Sequence, residues 1–325
     1  MSASTQDSAK APIDIAVGVL VASDGRVLVA CRRANTPGAG FWEFPGGKRE
    51  AGEDMEACLK REPAEEIGIS DIEGQPLICF AHDRGPRPVR LHVWRIHAWH
   101  GEPHGREGQQ VRWAAPESLD LASLLPATEI ILNALALPSA YLMTPAVADY
   151  GESDWLAGID ATLEAGITLL RVRDHALDDA AYARLAAEVV IRAHEYGAQV
   201  LVDRDIALMQ AVGAQGVHWS MTRLEHEGSR PKALVGWLAV SAHDSGDLER
   251  AITGGADFAT LSPVRSTATH PEAVPMGWSG FALARADHAV PVYALGGLGS
   301  ADMSAAHQHN AQGVAALRGW WPKPE

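Results

Sequence analysis

From about residue 139 onward the chain repeats one unit, a short β-rich apolar run followed by helical text, and this repetition constrains the fold more than any other feature. The runs are AYLMT (140–144), TLLRVR (168–173), AQVLVD (198–203), GVHW (216–219), ALVGWLAVS (233–241), DFATLS (257–262), PVYALGG (291–297) and GVAALRG (313–319). Eight strands separated by helical segments predict an α/β domain closed as a (β/α)8 TIM barrel. The text before residue 137 has a different rhythm. IAVGVLVA (15–22) and RVLVACRR (26–33) flank Ser23-Asp24-Gly25, a hairpin-type turn. A glycine-rich loop, a helix over 54–67, a long strand over 89–100 and a short apolar helix over 126–137 follow, which predicts an α+β unit. The 325 residues thus divide into two expected domains, 1–137 and 138–325.

Composition narrows the partners. Hydrophobic residues make up 47% and charged residues 21%, values of a folded globular chain. The net charge is −14; residues 1–137 hold 14 basic and 19 acidic side chains, a net of −5, and the rest carries −9. Neither half has the basic excess that a phosphate backbone demands, so polymeric nucleic acid is not an expected partner. A small phosphorylated molecule is compatible if cations or amide donors offset repulsion. The opening MSASTQDSAKAPID is polar, and no apolar run approaches the length of a membrane span. Cys31, Cys58 and Cys79 form no close pair. The expectation is a cytoplasmic protein without membrane contact; oligomeric state is not legible.

Chemistry concentrates in GFWEFPGGKREAGEDMEACLKREPAEEIGIS (40–70). Glu62, Glu65 and Glu66 are spaced i, i+3, i+4, so a helix places all three on one face. Like charges there repel, and such a face is either solvated or collects a hard cation such as Mg2+ or Mn2+. The wider spacing supports the second reading. Gly47, five residues, Glu53, seven residues, Arg61-Glu62, then Glu65-Glu66-x-Gly68-Ile69 resembles the Nudix box nearly position for position.

The resemblance implies hydrolysis of a nucleoside diphosphate linked to another moiety, with Mg2+ (or Mn2+) as cofactor. It implies Glu62, Glu65 and Glu66 as metal ligands, with the Gly46 or Gly47 carbonyl nearby. Glu53 and Arg61 are implied as a pair bracing loop against helix. Pro63 departs from the box, where an aliphatic residue is usual. It removes the amide bond to Leu59 and predicts a kink between Glu62 and the later acids.

RRA (32–34), WEFPGGK (42–48), WHGEPHGREGQ (99–109) and LPATE (125–129) narrow the resemblance to the MutT-type 8-oxo-dGTP diphosphatases. By that likeness Glu107 is a further ligand or base, Arg33 and Phe44 line the nucleotide pocket, and Thr128 stands where an asparagine reads the purine. An amide donates and accepts in one plane, whereas threonine offers one hydroxyl, so the base preference is expected to be relaxed or altered. The best single substrate expectation is 8-oxo-dGTP, a small-molecule nucleotide.

Residues 140–319 resemble thiamine phosphate synthase and its TenI-type relatives through GITLLRVRD (166–174), VDRDIALMQAVGAQGVHWS (202–220), VSAH (240–243), GADFATLSPVRSTAT (255–269) and PVYALGGL (291–298). The likeness implies a phosphate- or ligand-binding mouth built from Arg173, Asp203, His243, Thr267, Thr269, Gly296 and Gly297. Of the synthase's Gln-x-Arg-x-Lys only the central arginine stands, because the text reads Arg171-Val172-Arg173-Asp174-His175. One magnesium carboxylate remains at Asp203, and Arg223 occupies the place of the second. Three readings stay open for this half: a non-catalytic phosphate-ligand module, thiamine phosphate synthase activity, or a TenI-like tautomerase using His243 as acid or base, the last two beside a weakened Nudix site. His218 is expected to satisfy a strand-end hydrogen bond.

Overall fold

The computed structural model describes residues 12–34, 36–82, 88–267 and 272–322. The chain forms two compact units, Met1–Leu132 and Asn133–Glu325. Among the described residues no helix is long and apolar enough to cross a membrane.

In the first unit β1 (Ile13–Leu20) pairs antiparallel with β4 (Gly46–Lys48) and parallel with β6 (Val89–His100). A 13-residue strand, β5 (Ser70–His82), pairs antiparallel with β6 at the edge and completes the order β4-β1-β6-β5. A smaller antiparallel sheet joins β3 (Trp42–Glu43), β2 (Val27–Cys31) and β7 (Val111–Ala114). Alternation along β1 divides the roles of its side chains. Ala16 and Leu20 pack into a core with Leu28, Cys58, Leu59 and Ile67, while Ile15 and Val17 face a cavity on the other side.

Helix α1 (Met55–Ile67) supplies the covering face of that core. Asp54 caps it by accepting the Ala57 N–H at 2.8 Å. It ends at Gly68, left-handed at φ 72°, whose N–H returns to the Pro63 carbonyl. Leu59, Pro63 and Ile67 are buried at i, i+4, i+8, so proline occupies the core stripe rather than the acidic face. The predicted kink is absent as a break: the helix is continuous from Met55 to Ile67 with Pro63 inside it. Packing of the stripe against β1 and the Gly68 cap hold the turn that proline leaves without one amide bond. Helix α2 (Pro126–Ala136) brings Ala127, Thr128 and Ile131 to the cavity wall.

The second unit is a closed parallel barrel of eight strands: β8 (Ala140–Met143), β9 (Leu169–Val172), β10 (Gln199–Val202), β11 (Gly216–Ser220), β12 (Trp237–Ala242), β13 (Phe258–Leu261), β14 (Val292–Leu295) and β15 (Gly313–Ala316). Strand β15 pairs with β8 to close it. Alternate residues point inward, and Tyr141, Leu169, Leu201, Phe258, Tyr293 and Ala315 fill the lower barrel. The opposite faces pack under helices that include α3 (Glu152–Glu164), α4 (Asp179–Glu195), α5 (Ile206–Val212) and α6 (Met221–Glu227). Helices α7 (Ser245–Thr253), α8 (Gly277–Arg285) and α9 (Met303–Gln308) complete the ring. The β12 run starts at Trp237 rather than at 233, because Gly236 turns the chain at φ 123° before pairing begins.

Candidate active site

Glu62 and Glu66 flank the buried stripe of α1 and face the loop that leaves β3, whereas Glu65 points to solvent. Gly47 makes this approach possible. A Cβ built on it would lie 2.0 Å from Glu62 Oε2 and 2.1 Å from Cδ, so the carboxylate occupies the space a side chain would take. Gly46 is equally constrained, with its Cβ position 2.2 Å from the Ala16 carbonyl, and its N–H donates to Glu66 Oε2 at 3.0 Å. Gly47 thus leaves the space that the Glu62 carboxylate fills, and Gly46 lets its strand lie against the Ala16 carbonyl of β1 while its N–H meets Glu66.

Arg61 ties the loop to the helix. It donates from Nε and Nη2 to the two oxygens of Glu53 at 2.9 and 3.0 Å, and from Nη1 to Glu62 at 2.8 Å and Glu65 at 3.1 Å. The Arg61 guanidinium hydrogen-bonded to Glu53 holds that carboxyl down to about 2, helped by the Glu50 N–H. Burial pushes the Glu62 carboxyl upward. Glu66 is pushed up to about 7, first by burial and then by repulsion from Glu43, Glu62 and Glu107, against the Gly46 N–H.

A loop after β6 carries Glu107 and is stitched to the C-terminal end of α1. His104 and Arg106 N–H groups donate to the Ile67 and Glu66 carbonyls at 3.0 Å, and Gln109 Nε2 adds a second donor to Glu66 at 2.9 Å. Arg106 also donates to the Ala64 carbonyl at 2.9 Å. Glu107 itself pairs with Arg33 at 3.0 Å.

Among the described residues no three His, Cys, Asp or Glu side chains are gathered into a finished metal-ligand group. Glu62 and Glu65 are drawn to Arg61, and Glu107 to Arg33. The donor chemistry still fits a hard divalent cation: carboxylate oxygens of Glu62 and Glu66 turned to the same strand, a glycine cradle behind Glu62, and burial with neighbouring acids that raises Glu66.

Beside these acids lies a cavity of about 190 Å3. Ile15, Val17, Phe44 and Leu91 give it apolar walls; Gly46, Gly47 and Lys48 line it next to the acids. Thr128 lines it and is buried. Arg33 is not in the lining. The arginine there is its neighbour Arg32, which donates to both oxygens of Glu43 at 2.7 and 2.6 Å. Arg32 and Glu43 were missed by sequence reasoning; the available signal was their place beside Arg33 and Phe44.

In the barrel the inward strand positions above the apolar layer are polar. Arg171 and the Asp203 carboxylate are buried, 4.0 Å apart, and Arg204 donates to Asp203 at 2.7 Å. Arg171 Nε and Asp203 Oδ2 each lack a hydrogen-bond partner. Arg173 lies beside them, half-buried, with its N–H on Thr144 Oγ1. Arg223 pairs with Glu227 at 2.8 Å, on α6, and supplies no carboxylate. A lone carboxylate already held by arginine does not fit a magnesium site. His243 is exposed, and its Nδ1 donates to the Ser262 carbonyl at 3.0 Å. Gly296 and Gly297 take φ 106° and 65° against Pro263 and Arg265, and Thr267 follows on the same loop. Thr269 lies outside the described residues. His218 is not at a strand end: it is fully buried, bonded to the Tyr141 hydroxyl at 2.8 Å and to Ser241 Oγ at 2.9 Å.

Comparison with known proteins accounts for both halves. Residues 12–135 match the NUDIX domain family and residues 140–319 match the thiamine monophosphate synthase family. The chain is 35% identical over 125 residues to the CTP pyrophosphohydrolase of Escherichia coli (strain K12), covering 38% of this chain and 93% of that one. It is 33% identical over 123 residues to an 8-oxo-dGTP diphosphatase of Haemophilus influenzae, covering 38% of this chain and 90% of that one. The barrel is 32% identical over 186 residues to the putative thiamine-phosphate synthase 2 of Aquifex aeolicus (strain VF5), covering 56% of this chain and 97% of that one. The chain therefore belongs to the Nudix family through its first unit and to the thiamine monophosphate synthase family through its second.

Proposed function

We propose that the first unit hydrolyses a nucleoside triphosphate to the monophosphate and pyrophosphate, with 8-oxo-dGTP the leading substrate and Mg2+ or Mn2+ required. The observation that carries this reading is the glycine cradle: Glu62 rests on Gly47 and Glu66 on the Gly46 N–H, at the edge of a cavity with apolar walls. Glu62, Glu65, Glu66 and Glu107 are the residues that would hold the metal. A divalent ion there supplies charge neutralisation at phosphorus and a more acidic water. Arg61, fixed by Glu53, orients the α1 carboxylates, and Lys48 adds positive charge beside them. Phe44, Ile15 and Val17 offer apolar surface to a base, with Arg32, Glu43 and Thr128 as its polar neighbours.

The relatives include both a CTP pyrophosphohydrolase and 8-oxo-dGTP diphosphatases, so the base preference is the point to measure. Thr128 has one hydroxyl where bidentate reading needs two groups, which removes ~1–3 kcal/mol of discrimination. The expected profile has 8-oxo-dGTP within about a hundredfold of the best pyrimidine triphosphate. Product analysis over a panel of natural and oxidised nucleotides tests this; release of orthophosphate instead of pyrophosphate would overturn it.

A second reading concerns the barrel. Arg171 Nε and Asp203 Oδ2 are buried inside it without a hydrogen-bond partner, which supports binding of a polar small molecule without a magnesium ion. Calorimetry with thiazole phosphate in EDTA checks this; binding seen only with Mg2+ would contradict it.

A further inference from the structure

The loop that carries Glu107 has little freedom of its own. Its backbone is pinned to the end of α1 through His104, Arg106 and Gln109, and the Glu107 N–H is held by Gln109 Oε1 at 2.9 Å. What remains free to choose a partner is the Glu107 side chain. The loop sits beside the α1 acids, because the Arg106 N–H and Gln109 Nε2 on either side of Glu107 both donate to the Glu66 carbonyl, at 3.0 and 2.9 Å. The contact of the Glu107 side chain, however, is Arg33, 3.0 Å away. Both partners are partly exposed, at 51% and 39%, so the pair is weak enough to be exchanged. A guanidinium binds phosphate oxygens more strongly than one carboxylate oxygen, because two N–H groups engage in parallel.

We propose that Arg33 is a positioning residue that parks Glu107 away from the α1 carboxylates until the phosphates of a nucleotide draw Arg33 off. Glu107 then turns to the cation held by Glu62, Glu65 and Glu66. Nucleotide and divalent cation consequently strengthen each other's binding, and by linkage the strengthening is equal in both directions. This rests on the hydrolase reading above and assigns to Arg33 a role other than lining the base pocket.

The test uses the full chain and Mn2+, counted by the electron paramagnetic resonance of the free ion, without nucleotide. Wild type is expected to bind Mn2+, and Glu66→Gln to lose that binding. Arg33→Gln is expected to bind Mn2+ about two- to fivefold more tightly, the range an exposed ion pair allows. Arg33→Lys should stay near wild type. In parallel, calorimetry with an α,β-imido nucleoside triphosphate in EDTA should show weaker nucleotide binding by Arg33→Gln. Opposite shifts for metal and nucleotide are the signature, since a general structural defect would weaken both. Mn2+ binding by Arg33→Gln equal to or weaker than wild type, with Glu66→Gln still defective, overturns the parking role alone. No Mn2+ binding by folded wild type overturns it together with the hydrolase reading.

Discussion

Replacing Gly47 by alanine isolates the geometry on which the proposed hydrolysis depends. The new methyl group would lie 2.0, 2.1 and 2.3 Å from the three carboxylate heavy atoms of Glu62, where ordinary contact begins near 3.4 Å. Glu62 must therefore retreat by about 1.4 Å, and the Arg61–Glu62 ion pair moves with it. A displacement of ~1 Å at a positioned group costs on the order of a hundredfold in rate, or about 2.7 kcal/mol. Stability should hardly change. Alanine gains about 0.4–1 kcal/mol by restricting the unfolded chain, and losing a partly exposed ion pair costs up to about 1 kcal/mol. The assay is kcat/KM for pyrophosphate release from the best triphosphate, with thermal unfolding measured on the same preparation. A hundredfold loss at unchanged melting temperature is expected. Activity within threefold of wild type would refute the claim that the Glu62 carboxylate must rest on Gly47.

Other consequences follow from particular side chains. Pro63→Leu restores the amide bond to Leu59 within a continuous helix, and should raise the first unit's stability by about 1–2 kcal/mol, part of the ~3 kcal/mol that an interior proline costs; calorimetry showing no upward shift would mean the stripe accommodates proline without penalty. His218 is held well below its usual range, first by burial and then by Arg171 and Arg173, so it stays neutral in the folded barrel while the unfolded chain titrates near pH 6.5. Barrel stability should accordingly be full above about pH 6.5 and fall as pH drops below it, by up to ~1.4 kcal/mol per unit from this residue. Urea melts of wild type and His218→Gln between pH 5 and 8 check this, and an unchanged slope in the variant would count against it. Asp203→Asn removes the carboxylate between buried Arg171 and partly exposed Arg204, and should destabilise the barrel by about 3 kcal/mol in urea titration; a shift below 1 kcal/mol would show that the arginines do not depend on it.

Much of this architecture is legible in the amino-acid text because local and tertiary preferences agree there. Asp54 and Gly68 mark both ends of α1, and the acid spacing brings Glu62 and Glu66 to the glycine strand while leaving Glu65 exposed. The barrel strands are visible because parallel strands buried on both faces read as short apolar runs. Strand β5 was not legible: SDIEGQPL contains glycine, proline and acids that read as a turn, and only pairing with β6, with register shifts at Glu73, Gly74 and Ile78, makes it a strand. Pro63 misled for a related reason, since a rule for isolated helices predicts a kink where burial of the 59–63–67 stripe keeps the helix whole. At the site, residue type and spacing located the acids but not their partners. Adjacent arginines look equivalent in sequence, yet Arg32 enters the cavity and Arg33 takes Glu107. His218 looked like a strand-end group because nothing in GVHW reveals that Tyr141 and Ser241 meet it inside the barrel.

The most direct test of the central claim is pyrophosphate release from 8-oxo-dGTP, CTP and the four common dNTPs, with Mg2+ and with EDTA, by wild type and Glu62→Gln. The account predicts turnover that needs the metal and falls at least a hundredfold in the variant. A folded wild type that releases no pyrophosphate from any of these with Mg2+, or a Glu62→Gln variant as active as wild type, would contradict it.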